Sequence, residues 1–269
     1  MKKYMVRCDI EGVSGVVSYE QAEPGKPEFV FGQKMFMSDL LALLEGLNQG
    51  GAGEIIVYDE HYYGRNIDID MLPENVTAIC GKPPYKTEWA GGLDASFAGL
   101  LLLGFHSKRN TGELLHHSYE PDIKDLILNG VSVGEIGIEA AIAGDWGVPL
   151  VMITADSAGV KEAETLVHGV IGVSVKESLW HSGGACPSAK LTARLIREAA
   201  KKVVTNPPSS KPWKVENPEL KVVFNPGPYL NKFCELFKCG DDIVINGKTV
   251  TECWAKYWRM KLKTQEAIR

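Results

Sequence analysis

The chain has 269 residues, 45% of them hydrophobic, and a net charge of −5 from 34 acidic and 29 basic residues. That length and apolar content can bury a full core in one large domain or two small ones, and the mild, dispersed charge argues against nucleic acid or an anionic membrane as partner. No apolar run approaches the ~20 residues of a membrane span. Met1 to Arg7 carry positive charge but no apolar stretch before Asp9, so no signal peptide is expected and the protein is read as cytoplasmic. The six cysteines (Cys8, Cys80, Cys186, Cys234, Cys239, Cys253) are scattered, several within apolar runs, and none makes a Cys-x-x-Cys pair. Zinc–thiolate and thioredoxin chemistry are therefore disfavoured, and buried reduced thiols are the expectation.

Taken in chain order, Tyr4-Met5-Val6 begins a strand that closes on Cys8-Asp9-Ile10-Glu11-Gly12. Carboxylates at i and i+2 of an extended chain share a face, so Asp9 and Glu11 sit side by side at the carboxyl end of that strand, where open α/β sheets gather their chemistry. Two like charges so close repel unless a proton is shared or cations neutralise them. Residues 13–30 read as loop because of Pro24-Gly25-Lys26-Pro27. Phe36, Leu40, Leu43, Leu44 and Leu47 then repeat at helical spacing up to Gly50-Gly51. Glu54 to Asp59 is a buried strand delivering His61 just past its end. Val76 to Cys80 is a short strand, and Leu100 to Gly104 a buried one delivering His106.

A polar loop over 107–122 holds His116-His117-Ser118, and Asn129-Gly130 between apolar arms predicts a tight hairpin. Glu135 opens a helix of small residues, where a carboxylate is stabilised by the dipole whether or not it binds anything. Val148 to Thr154 is another buried strand, ending at Asp156. A helix near 158–167, a strand from Val170 to Val175, a Gly-rich loop with His181 and an amphipathic helix from Ser188 to Val204 follow. Prolines mark 206–219 as a linker or long surface crossing. Beyond it come a strand (Leu220 to Phe224), a helix (Tyr229 to Phe237), a second Asn-Gly hairpin at Asn246-Gly247 and a last helix with Trp254 and Trp258, both more easily core than interface. The fold class is therefore α/β, a mainly parallel mixed sheet flanked by helices, with a smaller C-terminal α+β subdomain. The expected division is a catalytic domain over 1–205 and a subdomain over 206–269.

Strands ending in Asp9/Glu11, His61 and His106, with Glu135 nearby, bring three carboxylates and two imidazoles to one sheet edge. This donor set suits zinc, manganese or a similar divalent ion. Five ligands exceed the three protein groups of one catalytic zinc, whereas two ions ~3.5–4 Å apart would use all five with one carboxylate bridging. Asp9 is the expected bridge, and a single ion with supporting carboxylates is the alternative. His116 and His117, if extended, point to opposite sides, so only one can face the metals.

Asp9-x-Glu11-Gly12-x-Ser14-Gly15, His61 after a strand, Gly104-Phe105-His106, His117-Ser118 and Gly134-Glu135-x-Gly137, in this order and spacing, resemble the M55 family of metallopeptidases, the D-aminopeptidases. The resemblance runs from about residue 3 to about residue 190 and weakens over the last third. It implies that Asp9, Glu11, His61, His106 and Glu135 bind two zinc ions and that His117 is the catalytic histidine, with His116 taking that role if the loop shifts by one. It further implies release of N-terminal D-residues, D-alanine especially, from short peptides or amides, by a metal-bridged hydroxide, and assembly into a homo-oligomeric ring, a decamer. Another dimetal hydrolase (an amidase or a phosphoesterase) and a non-catalytic metal-dependent binding ring are the alternatives. A phosphoesterase would want more cations than Arg65, Lys108 and Arg109 around the ions.

Overall fold

The computed structural model describes residues 2–268. The elements, in chain order, are β1 (Lys3–Cys8), α1 (Tyr19–Ala22), α2 (Phe29–Gly50), β2 (Ile55–Asp59), β3 (Val76–Ile79), β4 (Phe97–Phe105), β5 (Ile123–Leu128), β6 (Val131–Val133), α3 (Glu135–Asp145), β7 (Leu150–Asp156), α4 (Ser157–Leu166), β8 (Ile171–Trp180), β9 (Gly183–Ala185), α5 (Ala189–Thr205), β10 (Glu219–Phe224), α6 (Pro228–Phe237), β11 (Asp242–Asn246) and α7 (Val250–Ile268). Seven strands form one sheet in the order β3-β2-β1-β4-β7-β8-β9, and four more form a second sheet in the order β11-β10-β5-β6. Every neighbour in the first sheet is parallel except the β8–β9 hairpin, and the second sheet is antiparallel throughout.

The buried strands of the first sheet are apolar on both faces because both are covered, as parallel sheets require. Alternate residues divide cleanly between the two layers. Tyr4, Val6, Leu101 and Leu103 pack with Phe36, Leu40 and Leu43 of α2 and Ile196 of α5, whereas Met5, Leu100 and Leu102 pack with Ile138 of α3 and Leu126 of β5. Parallel register across β2, β1 and β4 (Cys8 opposite both Asp59 and Leu103) brings the three strand ends level. That alignment puts Asp9, His61 and His106 on a common edge.

The mainly parallel sheet with flanking helices stands as expected. The Asn129-Gly130 hairpin does too, since both residues take left-handed φ values of 47° and 80°, as a type I′ turn requires. Strands on both sides of residue 206 share the second sheet, and the proline-rich 206–219 segment is packed down, with Ser210 buried and Trp213 against the core. Trp254 is buried, with Tyr119 beneath its ring at 4.5 Å between centroids.

Three local expectations change. Asn246-Gly247 does not turn a hairpin: β11 pairs with β10, and the chain after Gly247 enters α7, whose start is capped by the Thr249 hydroxyl accepting from the Glu252 N–H. An Asn-Gly step followed by Thr-x-x-Glu competes between hairpin and helix start, and here the cap wins. A one-turn helix, α1, interrupts the loop read over 13–30. Only Cys8 and Cys253 are buried; Cys80 and Cys186 are exposed, and Cys234 and Cys239 lie half-buried. Among the described residues no helix is long and apolar enough to cross a membrane.

Candidate metal centre

Every residue singled out as a ligand from the sequence meets at the carboxyl edge of β1, β2 and β4. Two groups of donors form there, Asp9/Glu11/His61 and His106/His117/Glu135, each with ligand atoms within 4.8 Å of one another. They abut: His106 Nε2 lies 3.5 Å from Asp9 Oδ2 and 3.4 Å from Glu135 Oε1, while His61 Nε2 lies 3.3 Å from Glu11 Oε1. Asp9 is thus the carboxylate that belongs to one group and touches the other. Of the adjacent histidines, His117 faces the site, with Nε2 3.8 Å from Glu135 Oε1 and its ring stacked on His106 at 4.1 Å. His116 belongs to neither group.

Local structure fixes how these side chains present their lone pairs. The Nδ1–H of His106 is committed to the Ser107 carbonyl at 3.0 Å, and that of His117 to the Leu115 carbonyl at 2.9 Å, leaving Nε2 of each facing inward. Asp9 Oδ1 accepts from the Ile10 N–H at 2.9 Å, and Glu135 Oε1 accepts from the Tyr119 N–H at 2.6 Å. The backbones around the ligands are in tight contact: the Gly12 N–H donates to the Gly104 carbonyl at 2.7 Å, and the Asp9 N–H to the Leu103 carbonyl at 2.8 Å.

The electrostatics show what the pocket lacks. Burial, reinforced by the Glu11 charge, pushes the Asp9 carboxyl up to about 7. Burial alone would hold His61 down, but the Glu11 carboxylate beside it raises it to about 9, and His61 in turn holds Glu11 well below the carboxylate range against its own burial. His106 is raised against burial by Asp9 and Glu135, whereas burial and the neighbouring His106 push His117 down. The pocket pulls positive charge into itself. Glu11 Oε2, His61 Nε2 and His106 Nε2 are buried without any hydrogen-bond partner, and buried polar atoms are rarely left so. Inward-facing lone pairs opposed to carboxylates at these distances fit divalent cations, and the oxygen and imidazole donors fit zinc or manganese.

The residues that brace this pocket are less visible in the sequence. Lys176, fully inside β8, donates its three ammonium hydrogens to the carbonyls of Glu11, Val13 and Val16. Asp39 of α2 accepts from both the N–H and the hydroxyl of Ser14, whose oxygen also lies 2.8 Å from the Thr192 hydroxyl of α5. A lysine and an aspartate amid apolar residues of a strand and a helix were the available clue. His181 sits at the β8–β9 turn, where its carbonyl accepts from the Leu115 N–H.

The family model for the M55 peptidases, described as D-aminopeptidase, matches residues 1–253. A D-aminopeptidase of Bacillus subtilis (strain 168) is 30% identical over 227 residues, covering 83% of this chain and 81% of that protein. Among solved structures, the "Zn-dependent D-aminopeptidase DppA from Bacillus subtilis, a self-compartmentalizing protease" superposes with a TM-score of 0.89 at 25% identity, over 99% of this chain and 98% of the other. The chain belongs to the M55 peptidase family, the D-aminopeptidases.

Proposed function

We propose that this chain is a metal-dependent, D-stereospecific aminopeptidase that releases N-terminal D-amino acids of the D-alanine type from short peptides or amides. The observation that carries the metal dependence is the pair of abutting donor groups in which Glu11 Oε2, His61 Nε2 and His106 Nε2 are buried without a hydrogen-bond partner. Asp9, Glu11, His61, His106 and Glu135 would hold two divalent ions, zinc before manganese, with Asp9 shared because it alone reaches both groups. Such ions supply Lewis acidity toward the scissile carbonyl and toward the attacking water. The family and the zinc dependence of the Bacillus subtilis relative support the substrate class and the metal.

His117 is the catalytic residue in this reading. With Nδ1–H held by Leu115, its Nε2 is a free base, and its lowered pKa keeps it unprotonated at neutral pH. It takes a proton at Nε2 as water adds to the carbonyl and returns it to the departing amine, a role typically worth ~10²–10⁴-fold. A free α-amine held by a carboxylate at the rim would fix exopeptidase behaviour. Residues 1–205 carry every proposed chemical group, with 206–269 as the smaller subdomain. The protein acts in the cytoplasm as a homo-oligomeric ring; for the assembly, though not for the location, the self-compartmentalizing relative is the support.

The deciding experiment is amine release from D-Ala-D-Ala and from L-Ala-L-Ala by protein reloaded with zinc or manganese, beside a chelated control. Chelator-sensitive release from the D form alone is expected; equal release from both forms would refute the stereospecificity, and release from neither the peptidase reading itself. His117→Ala should keep its metals and lose most of kcat, and an unchanged kcat would remove His117 from the mechanism.

A further inference from the structure

Behind the candidate ligands lies a buried ionic cluster that the reaction does not use. Arg7, on the central strand two residues before Asp9, is wholly enclosed, with its guanidinium paired to Glu139 of α3 and 3.6 Å from Glu60, the residue before His61. Its Nη2 also donates to the Ala90 carbonyl at 2.6 Å. Glu139 stands one helical turn beyond Glu135, so both carboxylates project from the same side of α3. Tyr119 grips both: its backbone N–H donates to Glu135 Oε1 at 2.6 Å, and its hydroxyl donates to Glu139 Oε1 at 2.7 Å. To do so Tyr119 takes a left-handed φ of 55°, a conformation that L-residues rarely adopt and that persists where surrounding contacts over-determine it. Two residues earlier in the same tight segment comes His117.

A buried ion pair is by itself weak evidence for a contribution to stability, because desolvation offsets much of the attraction. The arrangement here has a more specific consequence. The guanidinium, two residues before Asp9, contacts the residue before His61 and a carboxylate one helical turn beyond Glu135, and that carboxylate leads through one phenol to the amide that holds Glu135. We propose that Arg7, Glu139 and Tyr119 form a positioning unit that sets the Glu135 carboxylate and His117 against the ligands of β1. This rests on the reading of those residues as metal ligands. None of the three touches substrate; each acts through Glu135 or through the segment carrying His117.

The test uses the full-length zinc-loaded protein and two variants, Tyr119→Phe, which removes one hydroxyl and keeps the backbone amide, and Glu139→Gln. Zinc affinity is read by competition with a chelating dye, the fold by thermal melting, and kcat and KM on a D-alanyl amide at saturating zinc. Loss of such an outer partner weakens metal binding or activity ~10–100-fold. The expectation is therefore one of two zinc-binding steps weakened by that factor, the other unchanged, and kcat reduced with little change in KM. Variants that melt lower yet bind both zinc ions and turn over as wild type does would reduce the cluster to a structural role and overturn the proposal. If Glu139→Gln does not fold, Tyr119→Phe decides alone. Failure of the underlying metallopeptidase reading is distinguishable: it shows in the wild-type arm, as absent zinc or absent amine release, and overturns this proposal with it.

Discussion

Gly12→Ala would test whether the Asp9-x-Glu11-Gly12 motif is glycine-terminated for space. Gly12 does not adopt a left-handed φ, so an alanine suits its backbone; what it cannot accommodate is the Cβ itself. That atom would fall 1.6 Å from the Phe105 carbonyl oxygen, where an ordinary C···O contact needs ~3.3 Å, so the two backbones must part by roughly 1.7 Å. Neither side is a flexible side chain that can swing away. The 12–104 backbone hydrogen bond is lost with the displacement. Glu11 precedes one backbone and His106 follows the other, so the insertion separates a ligand of one donor group from a ligand of the other. Overpacking a tight contact costs ~1–3 kcal/mol and occasionally more, and a misplacement of ~1 Å at a reacting centre can cost ~10²-fold in rate. The expected outcome is a folded protein of lowered thermal midpoint, with less than the wild-type zinc content by elemental analysis and D-alanyl amide hydrolysis reduced ~10²-fold. Gly25→Ala is the control: Gly25 has a φ of 91° and nothing within 4 Å of its Cβ position, so strain of ~1–2 kcal/mol is expected with zinc and rate unchanged. Wild-type zinc content and rate in Gly12→Ala would refute the claim that this contact sets the spacing of the two ligand groups.

Three further outcomes follow from the bracing residues and the donor set. Lys176→Met removes three charge-assisted hydrogen bonds of ~1.5–3 kcal/mol each and relieves the burial that holds the lysine down at about 8, worth ~3 kcal/mol, for a net loss of ~2–6 kcal/mol by chemical denaturation at pH 7; a variant as stable as wild type would show that the 11–16 turn holds itself. Burial raises the Asp39 carboxyl to about 6, so between its unfolded value of ~3.9 and 6 the folded protein holds a proton that the unfolded chain has lost. Stability from this group is therefore present below about 4 and lost as pH rises to about 6, by ~3 kcal/mol; Asp39→Asn should abolish that slope, and an identical pH–stability curve in the variant would refute the shift. Chelation should abolish amine release and lower the thermal midpoint, since ligand at ~100 times its Kd adds ~2.7 kcal/mol of stability; release that survives full metal removal would exclude the metallopeptidase reading.

What the sequence disclosed and what it concealed divide along a physical line. Asp9, Glu11, His61 and His106 were legible because each lies immediately past a short apolar run, and parallel strands in register bring their carboxyl ends level without any further information. The Asn129-Gly130 hairpin was legible for the same reason, as a dipeptide whose backbone preference decides the turn locally. Asn246-Gly247 carries the same dipeptide, yet a competing cap two residues later outweighed it. Local preference decides where nothing opposes it.

The supports were hidden because each is a pairing between residues far apart in the chain. Lys176 reaches carbonyls of the 11–16 turn, Arg7 reaches Glu139, and Asp39 reaches Ser14. In sequence each is one charged residue in an apolar stretch, and a charge in such a stretch is as easily a sign that the stretch is misread. Burial removes that ambiguity: a charge held without water must be matched by partners, so its partners say what it is for. All three find theirs within the shell around one pocket, next to the ligands. Lys176 and Asp39 hold the 11–16 turn in place, so their replacement is expected to be read in stability, whereas Arg7 acts through Glu139 and Tyr119 on the carboxylate of Glu135, so loss of that pairing is expected to be read in metal affinity.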